Sequence, residues 1–256
     1  CGIAPGSPKC LLHNCDKRSY IQKLYRSVRF SVQGYVLRAL RPAVAFVSDS
    51  SRRLIEPYLT WDAERFDCLN YVDADKFQHG FDADCEAYLF VGRLSPEKGC
   101  DLFCEAASRA GVDAIVIGDG TELKRLSDSY PDIKFMGALS HDEVLSVMGR
   151  SRAIVIPSVC RETFGLVAYE AMIAAGLPCI VSDVGDAASF VRSKGLGEIF
   201  SAGSAESLSD AMVNMLDPDV CSRYRKAVEK ADFSCLEKTA YVERLISIYD
   251  QLLAEH

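Results

Sequence analysis

The sequence predicts an α/β protein: a Rossmann-like parallel sheet with helices on both faces, plus a remnant of a second Rossmann-like domain. Three observations predict it. Apolar runs at 88–91, 114–117, 133–136, 153–156 and 178–181 alternate with helical stretches near 99–110, 121–129, 141–149, 165–175 and 186–194. Strand and helix in strict alternation give parallel strands wrapped by helices. Second, residues 11–60 repeat the pattern in shortened form, with Ala43–Val47 as a buried strand followed by a capped helical segment at 50–59. Third, 49% hydrophobic and 25% charged residues over 256 positions are ordinary for a globular chain with one full domain and part of another.

The elements follow in order. Leu11 and Leu12 form a short apolar start, and a basic amphipathic stretch with Tyr20, Ile21, Leu24, Val28 and Phe30 comes next. Residues 62–87 are irregular and polar and read as a linker, with the domain boundary placed after residue 72. Beyond the alternating region, two or three helices end in an amphipathic segment at 237–253, with Ala240, Leu245, Ile248 and Leu252 on one face.

Composition excludes several classes. A net charge of −7 disfavours nucleic-acid binding, which needs a basic face. No apolar run is long enough to span a bilayer, and the first residues carry neither a Met nor a signal pattern, so the front reads as truncated. Eleven cysteines are scattered without a CxxC pair or a metal-ligand spacing, so reduced cytoplasmic thiols are expected, with Cys100 and Cys104 packed as small apolar residues. Against the acidic whole, Lys17 to Arg41 holds seven cations and no Asp or Glu. A segment of that kind suits an anionic membrane surface, with solvated cations as the simpler reading.

Open parallel sheets bind ligands outside the carboxyl ends of their strands, so the loops after the apolar runs are where chemistry is expected. The first reads Phe90-Val91-Gly92-Arg93-Leu94-Ser95-Pro96-Glu97-Lys98-Gly99. Gly92 permits close backbone approach, and Arg93 and Lys98 set two cations where a diphosphate needs them. The fourth reads Pro157-Ser158-Val159-Cys160-Arg161-Glu162-Thr163-Phe164-Gly165-Leu166, then a helix containing Glu170. A helix that starts in this crevice aims its first N–H groups at an anion. Glu162, before the helix, and Glu170, within it, can accept hydrogen bonds from different parts of one extended ligand.

The Glu-x7-Glu segment from Glu162 to Glu170, together with FVGRLSPEKG upstream, resembles glycosyltransferase family 4, whose members have the GT-B fold. The resemblance implies a retaining, metal-independent glycosyltransferase acting in polysaccharide or cell-envelope synthesis. Its donor would be a UDP- or GDP-linked sugar, its acceptor a saccharide or lipid-linked saccharide, and it would use no cofactor. It implies Arg93 and Lys98 on the diphosphate, with Gly92 close by and backbone N–H groups from Phe164, Gly165 and Leu166. Glu162 would meet the transferred sugar, Glu170 the ribose hydroxyls, and the base would lie near Met136 and Gly137. His13 resembles a histidine that faces the donor sugar from the acceptor-side domain, of which 1–72 would be a part. Asn70-Tyr71-Val72-Asp73 resembles the interdomain strand and linker. Gly185-Asp186 and Ser189 depart from the usual pattern, which carries a second glycine and a Glu at these places. Two alternatives remain: a nucleotide-sugar epimerase of GT-B fold, and a nucleotide-sugar-binding fragment without complete catalysis.

Overall fold

The computed structural model describes residues 20–73 and 87–254. They fall into two compact units that divide after Cys68.

The first unit contains α1 (Tyr20–Leu40), β1 (Val44–Phe46), α2 (Asp49–Ile55) and β2 (Arg65–Asp67). Helix α1 has no acidic residue in its first turn and Arg38 in its last, and Ile21, Leu24, Val28, Val32 and Tyr35 stand exposed along it. Ser48 caps α2 in a reciprocal box with Ser51, satisfying amides that a helix start leaves open. The helical segment expected at 50–59 ends early, because Pro57 supplies no amide; the chain tightens into a 3-10 turn at Glu56–Tyr58. Strand β2 lies in the stretch read as linker, which is corrected here: Arg65-Phe66-Asp67 pairs in parallel with β1, Val44 opposite Arg65. An Arg-Phe-Asp triplet with one apolar residue is too short for alternation to mark it, and its place is fixed by the ladder and by Arg52, 2.7 Å from Asp67.

The second unit is a six-stranded parallel sheet ordered β5-β4-β3-β6-β7-β8. Its strands are β3 (Tyr88–Val91), β4 (Ala114–Ile117), β5 (Lys134–Phe135), β6 (Ala153–Ile156), β7 (Cys179–Ser182) and β8 (Gly197–Phe200). The helices are α3 (Cys100–Ala110), α4 (Leu123–Ser129), α5 (His141–Met148), α6 (Leu166–Ala175) and α7 (Asp186–Lys194), followed by α8 (Ala205–Asn214), α9 (Pro218–Lys230) and α10 (Lys238–Ala254). Alternate strand residues feed opposite faces, as a period of two requires. Tyr88, Phe90, Val155 and Ile180 pack with α3 and α8, including Phe103 and Met212. Leu89, Ile154 and Val181 pack with α6 and α7, including Met172 and Val191. Cys100 and Cys104 are buried in the first of these layers, as small apolar residues would be.

Strand β8 has no counterpart in the sequence reading. Gly-Glu-Ile-Phe carries only two apolar residues, because an edge strand is covered less than a central one. The opposite edge, β5, is shorter than its apolar run for the same reason. The strand order reverses at the centre: from β3 the chain steps outward through β4 and β5, then returns to β6 on the other side of β3 and steps outward again. The loops after β3 and β6 therefore diverge and leave a crevice at the carboxyl end of the sheet.

Candidate functional site

That crevice is where the two motifs meet. After β3 the chain passes Gly92, Arg93 and buried Leu94, makes a 3-10 turn at Pro96–Lys98, and enters α3 through Gly99 at φ 69°. A Cβ on Gly99 would sit 2.0 Å from the Pro157 carbonyl oxygen, so only glycine lets this loop rest on the loop after β6. The Val159 N–H donates to the Glu97 carbonyl at 3.1 Å and joins the two loops directly. One strand further on, the Ser182 hydroxyl donates to the Ser158 carbonyl at 2.7 Å.

On this base the charged groups converge. Lys98 Nζ donates to Glu162 Oε1 at 2.6 Å, and the Ser158 hydroxyl donates to the same oxygen. Glu162 is largely covered, at 14% side-chain exposure, while Lys98 keeps 39%. An ion pair so placed is shielded from water on the carboxylate side and open to a ligand on the ammonium side. Gly165, at φ 74°, then turns the chain into α6, and a Cβ there would lie 3.3 Å from Glu162 Oε2. The first amides of α6, at Leu166 and Val167, have no carbonyl one turn earlier to bond, which favours negative charge before the helix.

Gly92, Arg93, Lys98, Glu162, Phe164, Gly165 and Leu166 all line one open cleft of about 530 Å³. Arg93 is exposed there, and its guanidinium makes no hydrogen bond or ion pair among the described residues. The Phe164 side chain is buried, stacked on Tyr169 with ring centroids 4.7 Å apart, so only its backbone can meet a ligand. Tyr169 in turn donates to Asp186 at 3.3 Å, at the head of α7, where the usual family pattern has glycine. Burial together with the neighbouring Asp186 carboxylate pushes the Tyr169 phenol up.

Met136, Gly137 and Glu170, expected on the same ligand, are not among the residues that line this cleft. Met136 and Gly137 follow β5; Met136 packs against the core, and the Gly137 carbonyl accepts the Gly118 N–H at 2.8 Å. Glu170 is half-buried on α6, and burial raises its carboxyl from the usual value while His141, heading α5, pulls it down. His13 lies outside the described residues.

Sequence reasoning missed Ser158, and with it the fixing of Glu162. A serine after a strand and before a polar loop is unremarkable in one dimension; the available signal was its place, directly after Pro157 at the mouth of the sheet. Asn70, Arg161 and Thr163 also line the cleft.

The family model described as Glycosyl transferases group 1 matches residues 72–232. The chain belongs to this family. Among curated proteins it is 33% identical over 128 residues to a GDP-mannose-dependent alpha-mannosyltransferase of Mycobacterium tuberculosis, covering 50% of this chain and 33% of that one. It is 29% identical over 207 residues to a phosphatidyl-myo-inositol mannosyltransferase of Mycobacterium leprae, covering 73% of this chain and 54% of that one. The chain thus spans between a third and just over half of these two relatives. Among solved structures, sucrose-phosphate synthase from Thermosynechococcus elongatus superposes with a TM-score of 0.74 at 21% identity, over 90% of this chain and 62% of that chain. Anabaena HepE in complex with UDP and glucose superposes with a TM-score of 0.71 at 18% identity, over 89% of this chain and 67% of that chain. These likenesses show the GT-B type of fold.

Proposed function

We propose that the chain provides the donor site of a retaining, metal-independent hexosyltransferase. It moves a sugar from a UDP- or GDP-linked donor to a saccharide or lipid-linked acceptor, in polysaccharide or cell-envelope synthesis. One observation carries the reading: two cations, a helix N-terminus and a held carboxylate share one cleft at the switch point of the sheet. A pyrophosphate needs cations and N–H donors, and Arg93, Lys98 and the first amides of α6 supply both. The same groups stabilise the negative charge that grows on the departing nucleoside diphosphate.

In this reading Glu162 orients the sugar. Its Oε1 already accepts from Lys98 and Ser158, which suits a hydrogen-bond acceptor better than a nucleophile. Retention then proceeds by front-face attack, with the leaving phosphate taking the acceptor's proton. Glu170 meets the ribose hydroxyls, the base sits by Met136 and Gly137, and His13 faces the sugar. Residues 73–256 form the donor domain and 1–72 the acceptor-side part. The enzyme works at the cytoplasmic side, with the cationic, apolar face of α1 against an anionic membrane; no helix among the described residues is long and apolar enough to cross one.

A thermal-shift screen against UDP, GDP and their hexose conjugates tests the proposal, since a ligand that binds the native state alone raises its melting temperature. A rise with one nucleotide series, absent with the free sugars, is the expected result. No rise with any nucleotide contradicts it.

A further inference from the structure

We infer that Ser158 is a positioning residue that fixes which oxygen of Glu162 faces the donor sugar; the inference rests on the donor-site reading above. Ser158 lies two residues past β6 and is 2% exposed, so it acts through Glu162 rather than on a ligand. Its place is held from behind, where the buried Ser182 hydroxyl donates to its carbonyl at 2.7 Å. Its own hydroxyl has one proton to give, and that proton goes to Glu162 Oε1.

Lys98 donates to the same oxygen at 2.6 Å. An ammonium is a rotating point charge and sets no plane, so Lys98 alone holds the carboxylate near without orienting it. Ser158 adds the second direction. With Oε1 occupied by two donors, Oε2 is the acceptor left for a sugar hydroxyl, and it lies beside Gly165, where a Cβ would come within 3.3 Å. The chain Ser182–Ser158–Glu162 thus carries the rigidity of two neighbouring strand ends to the sugar-facing atom, while the diphosphate is held by other groups.

Calorimetric titration of the full chain with GDP against GDP-mannose, and with UDP against UDP-glucose, separates these roles. In the pair that binds, Ser158→Ala should weaken the nucleotide sugar about tenfold and leave the nucleoside diphosphate within twofold. Glu162→Gln should lose a similar amount, and Ser158→Ala added to it should change little, as coupled neighbours behave. Ser182→Ala retains the Ser158 hydroxyl but removes the support behind it, and should give a smaller loss, again confined to the nucleotide sugar. Equal losses on both ligands, additive losses in the double variant, or no loss at all would overturn the inference while leaving the donor site standing. If the unsubstituted chain binds neither pair, the donor-site reading itself falls, and this inference with it.

Discussion

Glu162 and Glu170 belong to one motif, eight positions apart, and their surroundings could hardly differ more. Glu162 sits in a loop with two donors on one oxygen, an ion pair made before any ligand arrives. Glu170 sits inside α6, half-buried, and its carboxylate makes no hydrogen bond or salt bridge among the described residues; burial drives it toward the neutral form, against a smaller opposing pull from His141. One carboxylate has its charge compensated in advance. The other carries a desolvation penalty that a donor, such as a ribose hydroxyl, would relieve.

The comparison breaks most visibly at Lys98. Lys98→Ala removes a cation from the cleft and strips Glu162 of its ion-pair partner, leaving a mostly covered carboxylate with one hydroxyl donor. Nucleotide-sugar affinity should fall about a hundredfold by calorimetry, with the melting temperature lower by about 3 °C. A variant with parental affinity would show that the pair faces no ligand.

At Glu170 the expected sign is opposite for stability. Because burial raises this carboxyl, the folded chain binds the proton more tightly than the unfolded chain does. Stability contributed by the group is therefore full below the ordinary carboxyl value and is lost as pH rises through the raised one. Glu170→Gln should remove that slope and melt at or above the parent at neutral pH, while nucleotide binding weakens about tenfold. A variant with the parent's pH slope in thermal melts would contradict the assignment of the cost to Glu170.

Much of this was legible in one dimension, and the reason is burial. Strands β3, β4 and β6 lie in the middle of the sheet and read as unbroken apolar runs, so their ends, and the loops bearing Arg93, Lys98 and Glu162, could be placed from residue types alone. Strands β2 and β8 carry too few apolar residues to stand out as runs, with Phe200 the only buried side chain on either. The meeting of Lys98 with Glu162 across 64 positions, and the placing of Ser158 beneath them, depend on the reversal of strand order, which no local pattern encodes. The motifs indicated which residues would serve; topology decided which would touch.

The smallest expected effect lies in the first unit. If the cations and exposed apolar residues of α1 meet an anionic membrane, Arg29→Gln should reduce sedimentation with anionic liposomes about fivefold, at roughly 1 kcal/mol per charge. Equal sedimentation with anionic and neutral lipid would show that this face serves another purpose.

The most direct test is the calorimetric titration of GDP and UDP into the chain and into Arg93→Ala. Arg93 is exposed at the cleft and its guanidinium makes no ion pair or hydrogen bond among the described residues, so loss of the side chain should leave the fold alone. The account predicts that one diphosphate binds and that the substitution weakens it about tenfold at an unchanged melting temperature. Unchanged affinity in Arg93→Ala would contradict the claim that this crevice grips a pyrophosphate.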